Sequence, residues 1–306
     1  MLLRARAHGL AARSLRALPA FRGKGRLGMR LDGLLRAPTH RLITRVILND
    51  GSLLDLDPGS PTEQWTVWTG EYDRRAVESL TGCLAPGDNA IDIGANVGLW
   101  SMQLAMIVRS NGGRVWAFEP VSANAERLRQ NCGLNQRDET LTVVQTAVGD
   151  EEGVVHLHTE RPTGSQTGNA VVVRGGVAQY RRPTDSAPIA RLDRLAGELG
   201  IDTCRLIKID IEGAETMALR GGRRFIARTR PFIYGEFNPF WMKQLGTSFA
   251  EAFSVLSPLG YRAFAEHRPG RFRPLDPARG TGGKDVLLVP RGAAPKVLAA
   301  MNVETR

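Results

Sequence analysis

Between Asn89 and Trp100 the chain reads NAIDIGANVGLW, an apolar alternation that runs into Asp92 and meets glycines at Gly94 and Gly98 before a helical run. A strand that ends in glycines and turns straight into a helix belongs to a βα unit. The unit recurs. NAIDIGA leads to NVGLWSMQLAMIVR, and RVWAFEP leads to SANAERLRQNCGLN and then LTVVQTAV. This βαβαβ rhythm predicts an α/β fold with a doubly wound, mostly parallel sheet. The rhythm breaks over Gly153–Pro183, rich in Gly, Arg and Thr, where VVHLHT and AVVVRG are short β-like runs. It resumes with the helical run LDRLAGELG, the strand RLIKIDIE, one long helix over AETMALRGGRRFIAR, the strand FIYGEFN and the helical SFAEAFSVLSPLG. YRAFAEHRPGR and DVLLVP then read as an antiparallel pair.

Upstream, LITRVILNDGSLLDLD is a hairpin around Asn49–Ser52. The expected organisation is a basic arm over 1–40, a β-hairpin over 41–65, the main domain over 66–292 and a fraying tail over 293–306. The net charge of +10 is confined to the arm, because the first 46 residues hold eleven Arg or Lys against the single acid Asp32. The remaining chain is balanced, so its core is not a basic nucleic-acid binder. The arm reads first as a solvated, partly disordered leader. On a helical wheel Leu3, Leu10, Leu15 and Leu18 oppose Arg6, Arg13 and Arg16, with Arg4 breaking the pattern. That pattern leaves open a peripheral contact with anionic lipid or a polyanionic substrate. No apolar run approaches the ~20 residues of a membrane span. Cys83, Cys132 and Cys204 lack any CxxC spacing and read as small buried side chains in a reducing compartment, by default the cytoplasm.

Ligands of open α/β sheets bind beyond the carboxyl ends of the strands. Those ends carry Asp92, Gly94, Asn96 and Gly98; Glu119; Thr146 and Ala147; Asp210 and Glu212; and Glu236 with Asn238. The dinucleotide fingerprint G-x-G-x-x-G fails here, because Asn96 stands where a pyrophosphate needs bare backbone. No P-loop is present. Glu119 can accept both hydroxyls of a ribose and would repel a 2′-phosphate, while Asp92 suits a cationic group. S-adenosylmethionine, with ribose hydroxyls, an ammonium and a sulfonium and no phosphate, fits such a ligand. In LIKIDIEGAE, Lys208, Asp210 and Glu212 share one face of a strand that should be apolar on both. Such a row is costly to bury unless its members pair or serve a site.

These pieces resemble the FkbM-type S-adenosylmethionine-dependent methyltransferases. The matching segments are TGEYD (69–73), PGDNAIDIGANVGLWSMQLA (86–105), AFEPVSANAERLRQNCGLN (117–135), TAVGDEEG (146–153), ARLDRL (190–195), LIKIDIEGAETMALRGG (206–222) and GEFN (235–238). The resemblance implies a Rossmann-like class I methyltransferase fold, a mostly parallel seven-stranded sheet with an antiparallel edge hairpin. It implies O-methylation of a hydroxyl on a sugar, polysaccharide or secondary metabolite, so a small-molecule or glycan acceptor. It also implies a cofactor site of Glu71, Asp92, Gly94, Ala95, Asn96, Gly98, Glu119, Pro120, Thr146, Ala147 and Asp210. Asp210, Glu212, Glu236 and Lys208 would carry the chemistry. Candidate bases are Asp210, Glu212 and Glu236, with His156, His158 and His267 behind them. A Mg²⁺-assisted variant on Asp210, Glu212, Glu236 and Asn238 stands beside the metal-free reading. An NAD-dependent oxidoreductase and a non-catalytic partner protein are the rival classes.

Overall fold

The computed structural model describes residues 2–19, 21, 23–35, 43–137, 139–159, 170–173 and 185–305, and the side chains from residue 7 onward. The strands are β1 (Thr44–Ile47), β2 (Leu53–Leu56), β3 (Ala90–Ile93), β4 (Val115–Phe118), β5 (Leu141–Val144), β6 (Ala147–Gly149) and β7 (Gly153–Thr159). They continue as β8 (Ala170–Val172), β9 (Asp185–Arg191), β10 (Leu206–Ile209), β11 (Phe232–Glu236), β12 (Arg262–Arg268), β13 (Arg271–Pro274) and β14 (Asp285–Val289). The helices are α1 (Leu2–Ala17), α2 (Lys24–Leu35), α3 (Pro61–Thr69), α4 (Arg74–Leu80), α5 (Leu99–Val108) and α6 (Ser122–Leu134). After these come α7 (Leu192–Glu198), α8 (Glu215–Gly221), α9 (Arg223–Thr229), α10 (Pro239–Gln244), α11 (Phe249–Leu256) and α12 (Pro295–Ala300).

The main sheet runs β13-β12-β14-β11-β10-β3-β4-β5. Neighbours from β11 to β5 are parallel, and β14 inserts antiparallel between β11 and β12. This is the Rossmann-like doubly wound arrangement with a reversed edge that the resemblance implies, but with eight strands instead of seven. The extra strand comes from the segment RPGR. Gly270, at φ 69, turns the chain back on itself so that β13 pairs with β12. Successive strand residues feed opposite cores. Ala90, Leu206 and Phe232 pack toward α3–α6, and Ile91, Ile207 and Ile233 pack toward α7–α11. Among the described residues no helix is long and apolar enough to cross a membrane. The three cysteines are buried free thiols, as expected.

Three further expectations change. LTVVQTAV is not one strand, because β5 ends at Val144 and β6 joins a second, four-stranded sheet of order β6-β9-β7-β8. Strand β9 carried no clear signal in the sequence. The long helix over 214–228 is two helices. A Cβ at Gly221 would lie 1.7 Å from the Gly149 carbonyl oxygen, so the second sheet presses on the break. The tail does not fray: Met301 is fully buried, Ser79 Oγ donates to the Met301 carbonyl, and Val303 bridges to Phe272.

The largest correction concerns the arm. Its described residues form a folded cap, not a solvated leader. α2 lies on α3 because Gly25 and Gly28 leave room for Trp65 and Trp68; a Cβ at either glycine would come within 2.5 Å of those side chains. Asp32, the lone acid, is fully buried and accepts hydrogen bonds from Gln64 Nε2 (2.7 Å) and Trp68 Nε1 (3.1 Å), with His8 Nε2 at 2.9 Å. The helical-wheel division fails too, since Leu15 is buried while Leu10 and Arg13 are both exposed. Parts of the arm and hairpin ranges (residues 1, 20, 22 and 36–42) and of the Gly153–Pro183 segment (160–169 and 174–184) lie outside the described residues. The hairpin range also ends inside α3, and β2 is tied to α6 by Asp55 N–Asn131 Oδ1 (2.8 Å) and Leu53 N–Asn135 Oδ1 (2.7 Å).

Removing the Asp32 carboxylate strands several buried donors at once. Asp32→Ala should therefore destabilise the protein by about 3 kcal/mol, read as a lowered urea midpoint. An unchanged midpoint would show that the cap is not part of the cooperative fold.

Candidate active site

One cleft opens over the carboxyl ends of β3, β4 and β10, and it encloses about 1310 Å³ including its mouth. Its walls include Gly94, Ala95, Asn96, Glu119, Pro120, Thr146, Ala147, Lys208, Asp210 and Glu212, so most of the expected site residues meet there. Glu71, Asp92, Gly98 and Glu236 do not line it.

The two glycines of the opening motif serve packing. Gly94 sits at φ 83, and a Cβ there would lie 1.9 Å from the Asp210 carbonyl oxygen. Its bareness lets the ends of β3 and β10 sit side by side. Gly98, at φ 94, caps α5, and a Cβ would meet Leu128 Cδ1 at 2.3 Å on α6. It therefore joins two helices and does not face a ligand. Asn96 is held at φ 51, and its backbone N–H donates to Glu119 Oε2 at 2.8 Å. Its side-chain Oδ1 is buried with no hydrogen-bond partner.

Glu119 follows β4. Its Oε1 accepts from Val121 N (2.9 Å) and Asn124 Nδ2 (3.3 Å), so the carboxyl is fixed in place. Burial pushes its pKa up to about 7, against the lowering effect of these bonds. Oε1 thus carries two donors and Oε2 one, so Oε2 keeps a lone pair for a further donor.

Asp92 is not the cleft acid expected. It is fully buried, accepts from Ser101 Oγ at 2.6 Å, and lies across the β3–β10 pairing from Lys208. Lys208 Nζ stands 3.7 Å from Asp92 and 3.3 Å from Asp210. Burial works against the Lys208 ammonium, but Asp210 and Asp92 outweigh it and hold its pKa above the usual lysine value. The row Lys208, Asp210, Glu212 thus borders the cleft, with Lys208 paired to Asp92 and Asp210.

Beyond Asp210 the carboxyls are hard to ionise. Burial, then Asp210 and Glu236, push Glu212 up to about 8. Glu212 also occupies a left-handed conformation, φ 50, in the loop after β10. Burial and Asp210 raise Glu236 as well, but it lies behind the cleft wall, bonded to Asn238 Nδ2 at 3.2 Å. Asn238 caps α10 through Phe240 N. Among the described residues no group of three His, Cys, Asp or Glu could hold a metal ion.

Several functional positions were missed. Glu71 turns away to Asn49 Nδ2 (3.1 Å) and Arg74 (3.2 Å), and its neighbour Tyr72 lines the cleft. The left-handed cap at Gly70, φ 72, reverses the chain there. Glu215 is fully buried and accepts from Gly213 N (3.0 Å) and Ile211 N (3.3 Å), which shapes the loop bearing Glu212. Trp100, Val154, Leu157 and Val172 give the cleft an apolar far wall. Of the three histidines, His156 lines it, while His267 Nε2 lies 3.6 Å from Glu304.

The residues present fit S-adenosylmethionine. Glu119 offers a fixed carboxyl for a ribose, Asn96 an unused buried acceptor for an ammonium, and Asp210 a carboxylate for a cationic centre.

The chain is similar to several known proteins. A 2-O-methyltransferase, NoeI, of Sinorhizobium fredii is 26% identical over 162 residues, which is 50% of this chain and 64% of that protein. The antimetabolite synthetase AmbE of Pseudomonas aeruginosa is 28% identical over 176 residues, 47% of this chain and 8% of that one. The chain thus spans less than two thirds of these relatives' lengths. Among solved structures, a methyltransferase FkbM from Methylobacillus flagellatus KT aligns at 19% identity and TM-score 0.43, over 67% of this chain and 44% of that chain. An O-methyltransferase from Bacillus cereus, solved with SAH, aligns at 13% identity and TM-score 0.40, over 94% of this chain and all of the other. The model of the methyltransferase FkbM domain matches residues 92–263, more than half of the sequence, and the chain belongs to that family.

Proposed function

We propose that the chain is an S-adenosylmethionine-dependent methyltransferase acting on a hydroxyl of a small molecule or glycan. The observation that carries this reading is Glu119, a carboxyl fixed by two backbone N–H groups on a cleft wall that has no phosphate cradle. Family membership supports methyl transfer, and the similarity to the 2-O-methyltransferase NoeI supports oxygen as the acceptor atom.

The bound cofactor would supply an electrophilic methyl on a sulfonium. The chain's part is to bind, orient and handle a proton. Glu119 takes the ribose, Thr146 and Ala147 border the adenine end, and Asn96 takes the amino-acid end. Asp210, steadied by Lys208, would offer its carboxylate to the positive centre. Much of the rate then comes from holding acceptor oxygen and methyl in line. A carboxyl near pKa 8 accepts a proton well close to neutrality, and Glu212 stands on the cleft for that purpose. The apolar wall of β7 and β8 faces the acceptor side.

Glu119→Ala removes the hydrogen bonding of this carboxyl to the ribose, about 1.5–3 kcal/mol per charge-assisted bond, and unfixes the turn that it braces. Calorimetry should show S-adenosylmethionine affinity falling by ~10² or more; an unchanged affinity refutes the ribose assignment. Glu212 acts as a base in its ionised form, so turnover with a competent acceptor should climb as pH rises through about 8. Glu212→Gln should flatten that limb and cost ~10²–10⁴ in kcat, with cofactor affinity kept. A mutant that retained wild-type kcat and pH profile would remove Glu212 from the chemistry.

A further inference from the structure

The described residues leave eleven large apolar side chains exposed, and nine of these fall within the first 65 residues. Elsewhere only Val154 and Phe240 join them. Within that stretch, residues 1–46 hold the chain's entire net positive charge. Monomeric surfaces scatter exposed apolar residues singly, so a concentration of them on one small unit marks a docking face.

The elements explain how the face is built. α1 turns inward with His8, Ala12 and Leu15, which leaves Leu10 and Arg13 outside. α2 turns inward with Gly25, Gly28 and Asp32, which leaves Arg26, Leu27, Arg30 and Leu34 outside. Leu27, Arg30 and Leu34 follow the i, i+3, i+7 spacing and form one row. At the α1–α2 turn, Lys24 Nζ donates to the carbonyls of Arg16 (3.1 Å) and Leu18 (2.7 Å). There Phe21, Lys24, Arg26 and Trp65 border a shallow groove. The acid at its rim, Glu71, is already bridged to Arg74. Among the described residues no carboxylate bridges Arg13, Arg26 or Arg30.

The unbridged arginines beside the leucines call for a partner that is apolar and anionic over the same area. Two copies of this face would set like charges against each other. A bilayer surface accepts both kinds of side chain at once, with leucine and aromatic groups entering the acyl boundary while arginine and lysine meet anionic headgroups. We propose that the outer face of the α1–α2 cap docks on an anionic lipid surface. This reading does not depend on the methyltransferase assignment.

The test is sedimentation of the full chain with vesicles of phosphatidylcholine, with and without phosphatidylglycerol, at low and physiological ionic strength. The wild type should partition to the anionic vesicles, more strongly at low salt, and hardly to the neutral ones. Arg26→Glu with Arg30→Glu should lower the partition coefficient at least ~10-fold, and Leu27→Ser with Leu34→Ser by a similar factor. All four side chains are exposed, so each pair should unfold at the wild-type temperature; if one pair fails to fold, the other still decides. No partition to anionic vesicles, equal partition to neutral ones, or no effect of a folded pair overturns the proposal. A concentration-dependent dimer that Leu27→Ser with Leu34→Ser abolishes would assign the face to a second copy instead.

Discussion

The string Asp92–Lys208–Asp210 holds the centre of the molecule together. A lysine in the middle strand of a buried sheet would be expensive alone, and either aspartate alone would be as well. Placed opposite each other across β3 and β10, they make that burial tolerable. Gly94 completes the contact, because only a bare Cα lets β3 end beneath the Asp210 carbonyl. Both cleft-forming loops leave the sheet from this point.

The same string sets the electrostatics of the site. Around the one ammonium stand Asp73, Asp92, Asp210, Glu236 and Asp285, and burial raises the pKa of Asp73, Asp92, Glu236 and Asp285 above the usual carboxylate range. Acid therefore exceeds base around Lys208, and a cation held at Asp210, the acid of this group on the cleft wall, would relieve the excess. The sulfonium and ammonium of S-adenosylmethionine have that character; a pyrophosphate has the opposite one.

The βα rhythm, the parallel centre and the reversed edge were legible, because each rests on local periodicity. So were Glu119, Asn96 and the Lys208–Asp210–Glu212 row, since polar residues at strand ends conflict with burial and advertise themselves. What was not legible depended on tertiary partners. Nothing local reveals that Asp92 would find Ser101 and Lys208, or that Gly98 answers to Leu128. The cap escaped for the same reason: a basic, acid-poor sequence looks solvated until Asp32 is seen gathering His8, Gln64 and Trp68. Tyr72 hid behind its charged neighbour, because the turn at Gly70 decides which of the two faces the cleft.

The central claim is that this cleft takes a ribose joined to a cation and rejects one joined to phosphates. Side-by-side calorimetric titration of the full chain with S-adenosylmethionine and with NAD tests it most directly. Saturable binding of the first and none of the second is expected. Binding of NAD without binding of S-adenosylmethionine would contradict it.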